Sequence, residues 1–126
     1  MKKIILIIDD DEAFQKVISA KLESNNYKVL NARDGDEGFK SAVQGKPDLI
    51  LLDIRMPKLD GMEFLRKLRL VKDIPEIPVL ITSNLDTMDY VSEGVTLGVK
   101  GYIVKSNDKL DAIMDEVNII LSSGTR

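Results

Sequence analysis

Five short apolar runs punctuate the chain: Ile4 to Ile8, Tyr27 with Lys28 to Leu30, Leu49 to Leu52, Val79 to Ile81, and Tyr102 to Val104. Each is too short for a helix and rich in β-branched residues, so each reads as a strand. The first, third and fourth do not alternate with polar residues, which predicts burial on both faces of a sheet. Between the runs the apolar spacing changes to three and four. Phe14, Val17, Ile18 and Leu22 form one helical stripe, Phe39, Ala42 and Val43 a second, and Phe64, Leu65, Leu68 and Val71 a third. Leu110, Ile113, Met114, Val117, Ile120 and Leu121 form the clearest stripe. A fourth helix in chain order, roughly Thr87 to Leu97, is weak because Thr87, Ser92, Gly94 and Thr96 are poor helix formers. It is the element expected to move. Turn signals at Gly45-Lys46-Pro47 and Pro75-Glu76-Ile77-Pro78 fall where a helix must yield to the next strand. Strand alternating with helix five times predicts an α/β fold: a doubly wound, five-stranded parallel sheet with five helices on its two faces.

Length and composition narrow the picture. At 126 residues, 44% hydrophobic and 31% charged, residues 1–126 are expected to form a single domain with a real core, and 122–126 ("SSGTR" closes the chain) a frayed tail. The net charge of −3 comes without a basic cluster, so neither nucleic acid nor an anionic membrane surface is an expected partner. No run approaches the length of a membrane span, and the apolar stretch after Met1-Lys2-Lys3 is too short for a signal peptide and runs into acid. A cytoplasmic protein is expected. The absence of cysteine excludes disulfide and thiolate chemistry. The absence of histidine excludes imidazole base catalysis, a zinc site built on imidazole, and a phosphohistidine carrier.

In doubly wound sheets ligands bind outside the carboxyl ends of the strands. Asp9 and Asp10 follow the first strand, Asp53 the third, Thr82 and Ser83 the fourth, and Lys105 the fifth. A lone acid at a strand end is most often a helix cap, and Asp11 before Glu12-Ala13-Phe14 and Asp60 before Gly61 fit that role. The conjunction of four strand ends is what points to chemistry. Ionised carboxylates at close quarters repel by roughly 4 kcal/mol per pair at about 4 Å and an effective dielectric near 20, so three of them need a cation. With oxygen donors only, that cation is Mg²⁺, or Mn²⁺ as its substitute. Asp9, Asp10 and Asp53 against Mg²⁺ and Lys105 sum to zero charge, a balance suited to receiving a phosphoryl group.

These residues resemble the receiver domain of two-component response regulators over essentially the whole chain. The matching pieces are "ILIIDDD", "PDLILLDIRMPKLDGMEFLRKLR", "IPVLITSN" and "GVKGYIVKS"; counted from Asp53, the hydroxyl residue falls thirty positions on at Ser83 and the lysine fifty-two on at Lys105. The resemblance implies the flavodoxin-like strand order 2-1-3-4-5 and a phosphorylation switch. Asp53 would accept a phosphoryl group from a histidine kinase or phosphotransfer protein. Asp10, Asp53 and the backbone carbonyl of Arg55 would ligate the metal, with Asp9 acting through water. Lys105 would pair with the phosphoryl oxygens, Ser83 would swing to hydrogen-bond them, and Tyr102 would turn inward. The fourth helix, fifth strand and fifth helix would carry the signal to a downstream protein or an output domain, or into a phosphorylation-dependent homodimer. Such a domain is not an enzyme in the ordinary sense, although it assists its own phosphorylation and dephosphorylation.

Several positions depart from the family's pattern. Ser106 stands where a proline usually follows the lysine, and Asn84 replaces a small residue beside the switch hydroxyl, where it would crowd an approaching donor. Thr82, one place before Ser83, is the second candidate for the hydroxyl role together with Asn84. Arg55 and Leu85 flank the site and bear on attack by water. Two rival functions share some of these residues. A haloacid-dehalogenase-like phosphatase would use Asp9 as nucleophile and Asp11 as general acid, but Ala13-Phe14 replaces the expected Gly-Thr and the late acidic pair is missing. A receiver-like module that binds partners without being phosphorylated would usually have lost an acid or the lysine.

Overall fold

The computed structural model of the chain describes residues 2–56, 59–83, 97–105 and 110–122, with the backbone alone at 55–56, 59–60 and 83. Five parallel strands, β1 (Ile4–Ile8), β2 (Lys28–Ala32), β3 (Leu49–Asp53), β4 (Val79–Ser83) and β5 (Val99–Val104), form one sheet in the order 2-1-3-4-5. This is the order expected. Four helices lie among the described residues: α1 (Glu12–Ser24), α2 (Gly35–Gly45), α3 (Gly61–Arg69) and α4 (Leu110–Ser122). Residues 87–96 of the weak predicted helix lie outside the described residues, as do 123–126 of the expected frayed tail.

The central strands are apolar throughout because each has a core on both sides. Leu6, Ile8, Ile50, Leu52, Val79 and Ile81 point to one face, against Ala42 of α2 and Met62, Phe64, Leu65 and Leu68 of α3. Ile5, Ile7, Leu49, Leu51, Leu80 and Ile103 point to the other, against Ile18 and Leu22 of α1 and Ile113, Met114 and Val117 of α4. The alternation is that of a pleated strand, in which neighbouring side chains leave by opposite faces. It is invisible in hydropathy because both destinations are dry. β2, at the sheet edge, is more exposed, and it runs two residues beyond its apolar run to Ala32. β5 begins three residues earlier than its apolar run, at Val99.

Side-chain caps decide where two helices start. Asp11 accepts from the Phe14 amide (3.1 Å) at the start of α1, as expected, and Asp34 accepts from the Glu37 amide (2.8 Å) at the start of α2. The stripe of α1 differs from expectation at one position. Val17 is 55% exposed, whereas Gln15 faces the core with Ile18 and Leu22. The reason is angular: 15, 18 and 22 follow the spacing of three and four, while 17 lies on the solvent side of that line.

After β3 the chain makes a two-residue antiparallel ladder, Arg55–Met56 with Leu59–Asp60, before α3. Its close is tight. A Cβ on Gly61 would lie 2.6 Å from the Ile54 Cα and 2.7 Å from its Cγ2, so only glycine lets the first residue of α3 pass the backbone that follows Asp53. At the far end of the sheet the chain enters β5 through Gly98, at φ +87°, and the carbonyl of Leu97 accepts from Arg69 Nε (2.8 Å) at the end of α3. Substituting Gly61→Ala is expected to lower stability by about 1 to 3 kcal/mol through this overlap, read from the urea unfolding midpoint at constant slope.

Candidate functional site

Strand alternation determines what gathers at the carboxyl end of the sheet. Asp9 continues the parity of Ile5 and Ile7, Asp53 that of Leu49 and Leu51, Thr82 that of Leu80, and Lys105 that of Ile103. All four belong to the α1/α4 face. Asp9 is wholly buried and Asp10, its neighbour on the opposite parity, is exposed. One Asp9 oxygen, Oδ1, accepts from the Asp11 amide at 2.9 Å, and Oδ2 lies 2.5 Å from the Lys105 ammonium. The same ammonium is 3.6 Å from Asp53 Oδ2 and 4.4 Å from the centre of the Phe14 ring. The Lys105 side chain is only 6% exposed, a degree of burial that an ammonium tolerates when anions and a π-face surround it.

Burial pushes the Asp9 carboxyl above the usual carboxylate range, and the Lys105 contact and the Asp11 amide act against that rise. Carboxylate oxygens of Asp9, Asp10 and Asp53 lie within 4.8 Å of one another. Among the described residues, one ammonium stands against three carboxylates, which calls for further positive charge. The donors are all hard oxygens, and the chain has no imidazole or thiolate to offer, so the residues present fit a small hard divalent cation such as Mg²⁺.

The remaining predicted residues fall in different places. Ser83 closes β4 with its backbone opposite Val104, and Arg55 follows in the small ladder after β3. Tyr102 packs against the α2/α3-side core, on the face opposite Asp53 and Lys105. Asn84, Leu85 and Ser106 lie outside the described residues, and so does the Asp60 side chain expected to cap α3. Thr82 is wholly buried in direct register with Asp53, and its Oγ1 has no hydrogen-bond partner among the described residues.

Two residues of the site were not anticipated. Phe14, read as core, also supplies the ring beneath the Lys105 ammonium. Gln15, between two apolar residues of α1, sends its amide nitrogen to the carbonyls of Ile7 (3.2 Å), Asp9 (3.1 Å) and Ala32 (2.8 Å). Its own oxygen accepts from Asn31 Nδ2, which also reaches Ser19 Oγ at 3.0 Å. This clamp ties α1 to the end of β1 where the strand parts from β2 and carries its two aspartates into the site. The sequence signal was present: Gln15 lies three before Ile18 and seven before Leu22, on the buried line.

Comparison with known proteins agrees with this architecture. Residues 5–118 match the response regulator receiver domain. The alkaline phosphatase synthesis transcriptional regulatory protein PhoP of Bacillus subtilis (strain 168) is 40% identical over 105 residues, 83% of this chain and 43% of PhoP. The chain thus spans about two fifths of that relative's length. The chemotaxis protein CheY4 of Vibrio cholerae superposes with a TM-score of 0.87 at 25% identity, covering 96% of this chain and all of CheY4. The Mn²⁺-bound form of the response regulator Rcp1 gives a TM-score of 0.82 at 27% identity, covering 98% of this chain and 97% of Rcp1. This chain belongs to the response regulator receiver family, the phosphorylation-activated signalling switches of two-component systems. Receiver domains bind Mg²⁺ at an acidic aspartate cluster, and the Asp9, Asp10 and Asp53 group occupies the corresponding end of this sheet.

The clamp makes a separate prediction. Gln15→Leu removes a buried amide donor from the carbonyls of Ile7, Asp9 and Ala32, of which the last keeps the Asp9 amide at 3.0 Å; it is expected to cost about 1 to 3 kcal/mol, whereas Asn31→Ala, at an exposed position, is expected to cost less than half as much. Urea unfolding of the two variants and the wild type measures both.

Proposed function

We propose that this receiver is phosphorylated on Asp53 by a histidine kinase or phosphotransfer protein, in a Mg²⁺-dependent reaction, and that the modified domain signals by protein contact. What carries the reading is the meeting of three carboxylates with one buried ammonium at the tips of three strands. An Asp53 carboxylate oxygen attacks phosphorus, an oxygen–phosphorus bond forms, the nitrogen–phosphorus bond of the donor phosphohistidine breaks, and the freed imidazole nitrogen recovers a proton from solvent. Asp10, Asp53 and the Arg55 carbonyl would hold the metal directly and Asp9 through water. When bound, Mg²⁺ offsets the negative charge of the transferring phosphoryl group.

Lys105 has two tasks in this reading. At rest it neutralises Asp9 and stands near Asp53; after transfer it meets the phosphoryl oxygens, which carry more negative charge than a carboxylate. Ser83 follows by hydrogen-bonding the phosphoryl group, and Tyr102 changes its packing on the opposite face. The free energy available to the switch is bounded by what these new contacts gain over the resting ones. The downstream target is a protein surface, or an output domain joined to this one in a longer chain, and the cytoplasmic location expected from the sequence belongs to the same reading.

Incubation with Mg²⁺ and acetyl phosphate, followed by intact-mass analysis and mapping of the modified residue, tests the assignment. One phosphoryl group is expected on Asp53 of the wild type and none on Asp53→Asn. Modification of Asp9 instead would support the phosphatase-like alternative, and no Asp53-dependent change under acetyl phosphate, beryllofluoride or a kinase donor would sink the switch. Removal of Mg²⁺ by chelation should abolish labelling. Asp10→Asn should weaken Mg²⁺ binding by about tenfold or more, measured by calorimetry, while leaving the urea midpoint at or above that of the wild type because one repulsive charge is gone.

A further inference from the structure

Thr82 is an expensive choice of residue for its position. It is wholly buried, its Oγ1 has no hydrogen-bond partner among the described residues, and it continues the parity of Leu80 towards the same face as Ile103. Valine has the same branched shape, suits a central strand equally well and brings no hydroxyl to desolvate. Packing alone therefore does not account for threonine. An unsatisfied buried donor is explained most simply by a state in which it acquires an acceptor.

The register identifies that acceptor. Thr82 is the direct partner of Asp53 across the β3–β4 ladder, and Lys105 lies two residues beyond Ile103, the partner of Thr82 on β5. Adjacent strands run about 4.8 Å apart, and register partners leave by the same face, so a group carried by Asp53 comes within reach of the Thr82 hydroxyl. Asp9, Asp53 and Lys105 gather on this face, and a phosphoryl group added to Asp53 brings three strong acceptor oxygens beside a strand that holds an idle donor.

Resting on the reading of Asp53 as phosphoacceptor, we propose that the Thr82 hydroxyl is a second, fixed hydroxyl donor to the phosphoryl group on Asp53. It is distinct from Ser83, the next residue, which reaches the same group by moving. Thr82 sits inside a paired strand and waits in place. Its contact exists in the loaded state and not in the resting one, so its whole energy favours the loaded state.

The test is equilibrium binding of beryllofluoride, the phosphoryl mimic, in the presence of Mg²⁺, followed by NMR titration of the whole chain as wild type, Thr82→Val, Thr82→Ser and Asp53→Asn. Thr82→Val is expected to bind beryllofluoride about tenfold more weakly, the loss of one hydrogen bond to a charged group. Thr82→Ser should stay within about threefold of the wild type, because it retains the donor. Mg²⁺ affinity without beryllofluoride should be the same in the wild type and both Thr82 variants, and the urea midpoint of Thr82→Val should equal or exceed that of the wild type. Unchanged beryllofluoride affinity in Thr82→Val overturns this proposal alone and leaves the role of Asp53 standing. An equal loss of Mg²⁺ affinity in Thr82→Val overturns it too, since the site would then be distorted as a whole. A wild type that binds beryllofluoride no better than Asp53→Asn overturns the Asp53 reading and this proposal together.

Discussion

The structure depends on a charge problem solved in a dry place. Three carboxylates meet at the end of a sheet whose central strands are apolar on both faces, and one ammonium, Lys105, is buried among them. Asp9 at 2.5 Å takes most of that ammonium's attention. The pairing is tolerable because the Asp11 amide satisfies the other Asp9 oxygen and the Phe14 ring faces the ammonium from a third side. The amide belongs to the residue that caps α1 and the ring to its first turn. The helix that follows β1 is therefore as much a part of the site as the strands that deliver the acids.

Local rules divide the three consecutive aspartates into three jobs. Asp9 has the parity of the core-facing residues of β1 and is buried, Asp10 has the opposite parity and stays exposed, and Asp11 has left the strand and caps α1. The Gln15 clamp holds this division in place by gripping the carbonyl of Asp9 together with those of Ile7 and Ala32. A rotation of the strand end by one residue would exchange a buried acid for an exposed one, and the ammonium would lose its partner.

The sheet and the acidic end were legible in the sequence because both rest on short-range rules. Five apolar runs can be strands and little else, and an acid directly after such a run must lie at the strand's carboxyl end. The caps at Asp11 and the stripe of α4 followed from the same local logic. What escaped was set by tertiary contact. Val17 is as apolar as Ile18 yet points to solvent, and polar Gln15 is buried because its amide reaches the carbonyls of Ile7, Asp9 and Ala32. The ladder after β3 is two residues on each side, below the length at which any pattern shows. Phe14 looked like core and is core; its second duty towards Lys105 arises from a residue ninety-one positions away, which no spacing could announce.

β5 carries Tyr102 against the core on one side of the sheet and leads, three residues later, to Lys105 on the other. The five-stranded layer between them acts as a bulkhead that sends the side chains of alternate residues to opposite faces. A small displacement of the strand itself links the charged compartment to the aromatic one, since a pull on one pleat is a push on the next. A pleated strand is thus a see-saw whose fulcrum is its own hydrogen-bonded backbone, and the stiffness of the neighbouring ladder sets how far the far end can rise.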